Sequence, residues 1–254
     1  MRLSQTKKHW DQFARTDPLW AVLTDADKRG NQWRTEEFFR TGVESVEAEI
    51  KGVRLHYPSL RRGTALDFGC GVGRLSQALA LHFDCVTGVD ISAEMLSHAR
   101  GFNRHGDRVD YLLNTEDDLR QLPDDHFDFV YSIITLQHME PVYARRYIAE
   151  FVRVTAPGGV ILFQLPVVSV REVAAPRPFT LWPDTLVKRL YRDLRKKLDT
   201  DPVMKMHAIP RTEVEALLRE SGAELIKSYR YDAAGSVLES WGYLACKPGR
   251  RPSA

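Results

Sequence analysis

Short apolar runs and helix-like patterns alternate along the middle of the chain, between residues 64 and 165. The run Phe127–Ile134 is almost continuously apolar, which is typical of a parallel strand buried on both faces. After Pro141, apolar residues recur at i, i+3, i+4, i+7 and i+8, a spacing that predicts one buried helix face. The alternation predicts a parallel, doubly wound α/β sheet that binds ligands at the C-terminal ends of its strands. The predicted strands are Thr64–Phe68, Cys85–Val89, Val109–Leu113, Phe127–Ile134 and Val160–Leu165.

Capping residues predict where the intervening helices begin and end. Side chains that accept a hydrogen bond from the first helical turn mark a start, as does proline, whereas glycine marks a stop. The expected starts are Ser92, Pro141 and the capping box Thr212-x-x-Glu215, and the expected stops are Gly101, Pro157-Gly158-Gly159 and Gly222.

Two regions lie outside this alternation. Residues 1–60 carry helical and aromatic patterns, and we expect a helical cap on a larger domain that spans residues 61–250. Residues 166–209 are too long for an ordinary connection, so we expect an insertion that acts as a lid or helps to bind a substrate. Two final strands are predicted over residues 225–231 and 237–246.

Composition and charge narrow the class of protein. The net charge of +2, from 36 basic and 34 acidic residues, is too balanced to indicate a nucleic acid or an anionic membrane as partner. The cysteines Cys70, Cys85 and Cys246 show no pairing pattern, which favours a reduced, cytoplasmic setting. We find no secretory signal and no apolar run near the roughly 20 residues that span a bilayer.

The clearest chemical signal is the glycine loop Asp67-Phe-Gly69-Cys-Gly71-Val-Gly73, which follows a predicted strand and opens a helix. Glycines there let backbone N–H groups approach a ligand closely. A dinucleotide fingerprint would need glycine or alanine at position 74, where the chain has Arg74. The carboxylate of Asp67 would also repel a pyrophosphate. It would instead attract the ammonium group of adenosylmethionine, a cationic nucleoside without phosphate.

A second carboxylate follows at the end of the next predicted strand. Asp90 lies about 20 residues beyond the start of the glycine loop, the separation at which an acidic side chain binds ribose. Its carboxylate can accept hydrogen bonds from two neighbouring hydroxyls. Asp90 therefore predicts a ribose-containing ligand and leaves open which cofactor carries the ribose.

Four stretches in this order resemble the motifs of the class I adenosylmethionine-dependent methyltransferases. The resemblance covers residues 62–165 well and residues 210–246 in outline. It implies a Rossmann-like sheet of seven strands whose last strand is antiparallel, with S-adenosylmethionine as cofactor and S-adenosylhomocysteine as product. The stretches are Leu66–Leu75, Val86–Ser92, Phe127–Ser132 and Arg153–Gly159.

The resemblance also implies which residues hold the cofactor. The glycine loop would line the methionine end, and Thr41 or Gly42 would lie near the cofactor carboxylate. Asp90 and Ile91 would meet the ribose and the adenine, and the loop after the third strand would cover the base. The full expected set is Asp67, Gly69, Gly71, Gly73, Asp90, Ile91, Met95, Asn114, Asp118, Leu119, Ser132 and Gln137.

His138 is the candidate catalytic residue, because it follows the fourth strand at the ligand edge of the sheet. A positioned base contributes roughly 10²–10⁴ in rate when a hydroxyl must lose its proton. Alternatively, His138 orders the loop and touches the cofactor. His138 and Glu140 could also bind a divalent metal, but no third ligand is visible, so a metal requirement stays open. His207 is a further histidine that could reach the acceptor.

We therefore expect a cytoplasmic methyltransferase that acts on a small molecule, with the hydroxyl of a sugar or secondary metabolite as acceptor. N-methylation of a small amine and non-catalytic adenosylmethionine binding are the alternatives. A nicotinamide oxidoreductase is disfavoured by the missing G-x-G-x-x-G. Neither nucleic acid nor membrane is expected as partner, and a homodimer is left open. Aromatic residues could build the acceptor pocket or simply pack the cap: Trp10, Phe13, Trp20, Trp33, Phe179 and Trp182.

Overall fold

The computed structural model describes residues 3–167, 202, 204–231 and 239–249. The helices are α1 (Leu3–Thr16), α2 (Pro18–Val22), α3 (Thr35–His56), α4 (Arg74–Leu79), α5 (Ala93–Phe102), α6 (Pro141–Val154) and α7 (Arg211–Glu220). The strands are β1 (Thr64–Phe68), β2 (Cys85–Asp90), β3 (Val109–Leu113), β4 (Phe127–Ser132), β5 (Thr155–Pro166), β6 (Glu224–Arg230) and β7 (Ser240–Cys246). Most of the predicted insertion 166–209 lies outside the described residues, as do Phe179 and Trp182.

Within the described residues, seven strands form one sheet in the order β3-β2-β1-β4-β5-β7-β6. Strands β1 to β5 are parallel, and β7 runs antiparallel between β5 and β6. This confirms the predicted Rossmann-like sheet with an antiparallel last strand. Because β1 is flanked by β2 and β4, the chain reverses its direction of winding at β1, the point where such sheets bind ligands.

Apolar side chains fill both faces of the sheet. Phe151 of α6 packs against one face together with Leu218 of α7, and Leu79 of α4 packs against the other with Ile50 of α3. A third cluster, which we call the cap cluster, joins the N-terminal helices to α5, since Phe38 of α3 packs with Met95 of α5. The predicted helical character of residues 1–60 is confirmed by α1, α2 and α3. None of the described helices is long and apolar enough to cross a membrane.

Several local boundaries confirm the capping rules. Ser92 caps α5 by accepting a hydrogen bond from the backbone N–H of Met95 at 3.1 Å. Pro141 occupies the first turn of α6. Gly222 follows α7 with a φ of +92° and donates its N–H to the carbonyl of Arg219, which ends the helix.

Other boundaries were predicted wrongly. Gly101 lies inside α5, which ends one residue later and is followed by the cap Asn103. The capping box is absent because α7 begins at Arg211, directly after Pro210, and no side chain caps it. Its expected glutamate, Glu215, instead pairs with Arg211 at 3.0 Å.

The strand ends also differ from the prediction. Strand β5 begins at Thr155 because that residue already pairs with β4, so residues 157–159 lie within a strand rather than ending a helix. Strand β4 ends at Ser132, before Ile134, whose φ of +58° is incompatible with a strand. Strand β7 begins at Ser240, and residues 232–238 lie outside the described part of the chain.

Candidate active site

A cavity with about 890 Å³ of empty space, including its opening to solvent, lies at the C-terminal ends of β1, β2 and β4. One side of its lining comes from the glycine loop and the end of β2. The other side comes from α1, α2 and residues 133–139. The lining residues are Leu3, Thr6, Trp10, Val22, Phe68, Gly69, Cys70, Gly71, Arg74, Leu75, Val89, Asp90, Ile91, Asn114, Ile133, Ile134, Thr135, His138, Met139 and Tyr147.

The glycine loop needs its glycines for two reasons. Gly69, Gly71 and Gly73 have φ values of +81°, +54° and +81°, which favour glycine. A Cβ atom on Gly69 would lie 2.1 Å from the side chain of Thr135, so the loop and the segment after β4 touch without room for a methyl group. Gly69 and Gly71 line the cavity, whereas Gly73 precedes α4 and packs against Tyr111.

Asp90 occupies the cavity edge at the end of β2. One carboxylate oxygen accepts the N–H of Gly71 and the other accepts the N–H of Ser92, each at 2.8 Å. Burial raises the pKa of Asp90 to about 6, against the lowering effect of these backbone hydrogen bonds. Each oxygen has a further lone pair, so the carboxylate can still accept hydrogen bonds from a ligand in the cavity.

Asp67 lies behind the glycine loop and is not part of the cavity lining. It is 1% exposed and accepts a hydrogen bond from Ser76 Oγ at 2.6 Å. Burial raises the pKa of Asp67 to about 6, although Ser76 and the positive charge of Arg74 lower it. Any attraction to a cationic ligand would therefore act through the loop or an intervening group rather than by direct exposure.

Arg74 is a cavity residue that the sequence analysis used only as an argument against a dinucleotide site. It is 5% exposed, and one guanidinium nitrogen donates to Thr41 Oγ1 at 3.2 Å. Its Nε is buried and has no hydrogen-bond partner among the described residues. A guanidinium held this way is suited to bind a carboxylate. The signal for it was a basic residue in the first helical turn after the glycine loop.

Thr41 and Gly42 were expected near the cofactor carboxylate, and the structure places both behind Arg74. Thr41 orients the guanidinium, and its own hydroxyl donates to the carbonyl of Phe38 at 2.6 Å. A Cβ on Gly42 would lie 2.5 Å from the backbone oxygen of Arg74, so α3 packs closely on α4 at this glycine. Neither residue lines the cavity.

The residues expected around the adenine divide into two groups. Ile91 and Asn114 line the cavity, together with Tyr147, which the sequence analysis did not single out. The amide of Asn114 donates to the carbonyl of Asp118 at 2.9 Å and to the Tyr147 hydroxyl at 3.3 Å. The others lie outside the lining. Met95 and Leu119 are buried in apolar clusters, and the side chain of Asp118 pairs with Arg120 at the surface.

The segment after β4 forms a second part of the cavity wall, adjoining the glycine loop where Thr135 packs on Gly69. Ile133, Ile134 and Thr135 line it, whereas Ser132 and Gln137, which were expected to bind cofactor, lie just behind. The hydroxyl of Ser132 donates to the carbonyl of Phe68 at 3.0 Å and so joins β4 to β1.

His138 lies in this wall and is 6% exposed. Its Nδ1 lies 2.9 Å from the carbonyl oxygen of Lys205, and its Nε2 lies 3.2 Å from Gln137 Nε2. The ring meets Trp10 edge to face, with 5.4 Å between centroids. Burial lowers the pKa of His138, so the imidazole is neutral near pH 7.

The other candidate ligands lie away from the cavity surface. His207 donates its backbone N–H to the carbonyl of Gln137 at 2.7 Å, which places it behind His138 and outside the lining. Across the described residues, no group of three or more His, Cys, Asp or Glu side chains is arranged to hold a metal ion. Of the expected aromatic residues in the described part, Trp10 lines the cavity, and Phe13, Trp20 and Trp33 pack in the cap cluster.

The central part of the chain is similar to known methyltransferase sequences. Residues 66–163 match the family described as "Methyltransferase domain". A malonyl-[acyl-carrier protein] O-methyltransferase of Yersinia pestis is 39% identical over 98 residues, 39% of this chain and 34% of that protein. A ubiquinone biosynthesis O-methyltransferase of Hydrogenovibrio crunogenus is 32% identical over 147 residues, 56% of this chain and 58% of that protein. The chain thus spans between a third and three fifths of these curated relatives.

Solved structures share the fold over nearly the whole chain. The magnesium protoporphyrin IX methyltransferase of Synechocystis PCC 6803 with bound SAH superposes with a TM-score of 0.61 at 16% identity, covering 95% of this chain and 97% of that chain. An adenosylmethionine-dependent methyltransferase of Leishmania major has a TM-score of 0.63 at 14% identity, covering 96% of this chain and 82% of that chain. At these identities the similarity establishes the fold alone.

Proposed function

We propose that this chain is a class I adenosylmethionine-dependent methyltransferase and that it transfers a methyl group from adenosylmethionine to a small-molecule acceptor, which the match to the methyltransferase domain and the shared fold support. The observation that carries the proposal is the charge pattern of one cavity. A carboxylate that can bind ribose, Asp90, and a buried guanidinium, Arg74, flank the same glycine loop.

The residues present fit adenosylmethionine better than a dinucleotide. Asp90 would bind the ribose hydroxyls, and the partnerless Nε of Arg74 would bind the carboxylate of the methionine part. Asp67, buried behind the loop, favours the positively charged sulfonium and ammonium groups. Two buried carboxylates so close to the loop would instead repel a diphosphate.

Trp10, Val22 and the lining residues of the segment 133–139 form what we call the acceptor-facing wall, and this wall would align the acceptor. When bound, the cofactor supplies an electrophilic methyl group, and methyl transfer then depends on in-line positioning, which can contribute roughly 7–11 kcal/mol. Ile134 and Thr135 would form the floor beneath the acceptor. His138 would accept the proton of an acceptor hydroxyl, and to do so its Nε2 must exchange Gln137 for that hydroxyl.

For the acceptor we propose the hydroxyl of a secondary metabolite or sugar. The acceptor-facing wall contains the apolar side chains of Trp10, Val22 and Met139. Such a lining favours an acceptor with an apolar body rather than a bare sugar. The relatives named above are O-methyltransferases by name, which supports oxygen as the methylated atom. N-methylation of a small amine is the alternative, and it would not need His138 as a base.

We also propose a cytoplasmic location, supported by three free cysteines, of which Cys70 and Cys246 are buried and Cys85 is exposed. A homodimer and a metal requirement stay open as part of the same proposal. Size-exclusion chromatography with light scattering addresses the first. Activity after chelation and metal add-back addresses the second.

The proposal is tested by a transfer assay with methyl-tritiated adenosylmethionine. Matched acceptor series should be offered, each with the hydroxyl, amino and deoxy forms of one aromatic scaffold and of one sugar. We expect label in the hydroxyl form of the aromatic series only. Label in the amino forms would support the N-methylation alternative. Tight cofactor binding without transfer to any acceptor in a metabolite extract would favour a non-catalytic binding protein.

A further inference from the structure

One residue in the cavity wall has a backbone conformation that its side chain disfavours. Ile134 lines the cavity with a φ of +58°, in the left-handed region. For a β-branched residue this conformation is an outlier. Such a conformation persists only where the surrounding structure stabilises it, and residues in strained conformations cluster at functional sites.

The side chain that holds Ile134 belongs to Gln164, in the interior of β5. Gln164 Oε1 accepts the backbone N–H of Ile134 at 3.0 Å. Gln164 is 0% exposed and does not line the cavity, so its amide cannot touch a ligand there. Its Nε2 donates to Gln137 Oε1 at 3.1 Å and also to Ser240 Oγ on β7.

These contacts continue to His138 as a chain of hydrogen bonds whose direction is fixed at both ends. At one end, the N–H of Ile134 can only donate, so Gln164 must present its oxygen. At the other end, the carbonyl of Lys205 can only accept, so His138 carries its proton on Nδ1. In a neutral imidazole Nε2 is then the acceptor, and it faces Gln137 Nε2 at 3.2 Å.

We propose that Gln164 is a positioning residue: its amide holds Ile134 in the left-handed conformation and orients Gln137 so that the Gln137 NH₂ group faces the unprotonated Nε2 of His138. Gln164 thereby sets the shape of the acceptor-facing wall and the hydrogen-bond donor that faces His138. Thr135, next to Ile134, packs against Gly69, so a displaced Ile134 also disturbs the glycine loop.

The effect on backbone conformation is tested by a double-mutant cycle on the full chain. Gln164→Leu removes the hydrogen bonds at nearly constant volume. Ile134→Gly removes the conformational preference, and Ile134→Ala is the matched control that also loses the side chain but keeps the preference. The readouts are the dissociation constant for adenosylhomocysteine and the midpoint of thermal unfolding.

We expect Gln164→Leu to weaken adenosylhomocysteine binding by about tenfold in the wild-type and Ile134→Ala backgrounds, and by less than about threefold with Ile134→Gly. The unfolding midpoints should follow the same order. An equal effect of Gln164→Leu in all three backgrounds would show that Gln164 only fills the core. This inference takes its ligand from the proposed function. If the wild-type protein does not bind adenosylhomocysteine, that function fails, while the unfolding midpoints still test Gln164.

The link between Gln164 and His138 is tested by measuring the resonances of the two ring nitrogens of His138. Long-range ¹⁵N–¹H correlation spectra of the wild-type protein at pH 7.5 report which ring nitrogen carries the proton. His138→Asn identifies the signal of His138 by its disappearance. We expect protonated Nδ1 and unprotonated Nε2 in the wild-type protein, and a changed Nε2 resonance in Gln164→Leu, because Gln137 loses the partner that orients it; an unchanged Nε2 resonance in that variant would remove the link to Gln164. A proton on Nε2 in the wild-type protein would overturn the proposed direction of the chain.

Discussion

The two walls of the cavity draw their residues from different distances along the sequence. The glycine-loop wall comes from residues 68–91, and at its ribose position the backbone N–H groups of Gly71 and Ser92 donate to Asp90. The acceptor-facing wall, whose role is part of our proposal, joins Trp10 of α1 to residues 133–139, and there the side chain of Gln164, which lies far along the chain, accepts the backbone N–H of Ile134. We therefore expect the glycine-loop wall to be most sensitive to an added methyl group and the acceptor-facing wall to be most sensitive to the loss of a single side chain.

The largest effect should come from adding one methyl group to the glycine-loop wall. Gly69→Ala introduces a Cβ at a φ of +81° and 2.1 Å from Thr135. Left-handed strain of about 1–2 kcal/mol and overpacking of about 1–3 kcal/mol should lower the free energy of unfolding by about 2–5 kcal/mol. Chemical denaturation measures this change. The control Gly101→Ala, in a helix with nothing within 4 Å, should gain up to about 1 kcal/mol. An equal change in the free energy of unfolding in Gly69→Ala and Gly101→Ala would contradict the claim that a Cβ atom at position 69 clashes with Thr135.

The acceptor-facing wall should respond in turnover rather than in affinity. We expect His138→Ala to lower the turnover number roughly 10²-fold, because a positioned base is lost, while the dissociation constant for adenosylhomocysteine changes less than about threefold. Steady-state kinetics and calorimetry on the same preparation separate the two quantities. His105→Ala, in the connection between α5 and β3, is the matched control. Unchanged turnover in His138→Ala would assign this residue to loop structure alone.

A smaller effect is expected at the ribose position of the glycine-loop wall. Asp90→Ala should weaken adenosylhomocysteine binding at least about tenfold, since two hydroxyl hydrogen bonds to a charged acceptor are lost. Asp107→Ala, an exposed carboxylate before β3, should leave the affinity unchanged. Wild-type affinity in Asp90→Ala, measured by calorimetry, would contradict the ribose assignment.

The smallest expected effect is a pH dependence of ligand affinity that arises from the carboxyl groups of the glycine-loop wall. Burial raises the pKa of Asp90 to about 6, so this carboxyl becomes protonated in the folded protein as the pH falls through 6. If the ligand requires the ionised form, its affinity should be constant above pH 7 and weaken about tenfold at pH 5. Protonation of Asp67, whose pKa burial also raises to about 6, acts in the same direction. Affinity independent of pH from 7 to 5 would contradict this account.

The same contrast explains how much could be predicted from the sequence. The parallel strands and the glycine loop follow from local patterns: apolar strands, closely spaced glycines and an acidic residue at the end of β2, whereas the antiparallel last strand was implied by the resemblance alone. Arg74 was missed as a ligand because its significance depends on burial beside Thr41, which local spacing does not encode. The role of Gln164 was equally hidden, since a polar residue inside an apolar strand gives no sign of the backbone group that it holds.

The adenine side shows the limit of inference by resemblance. Asn114 and Ile91 line the cavity, but Met95 of α5 and Asp118 and Leu119 of the loop after β3 do not, because the side chains of these segments divide between core, surface and cavity. Their expected contact with the base stays a prediction. The position of a residue in a motif fixes its place along the backbone, while burial and partners decide what its side chain touches.

Calorimetric titration with adenosylhomocysteine and, separately, with NAD⁺ and NADH tests the central claim most directly. The claim is that the buried charges around the glycine loop select a nucleoside without phosphate. We predict a micromolar dissociation constant for adenosylhomocysteine and no measurable heat with either dinucleotide. Binding of NAD⁺ or NADH without binding of adenosylhomocysteine would contradict it.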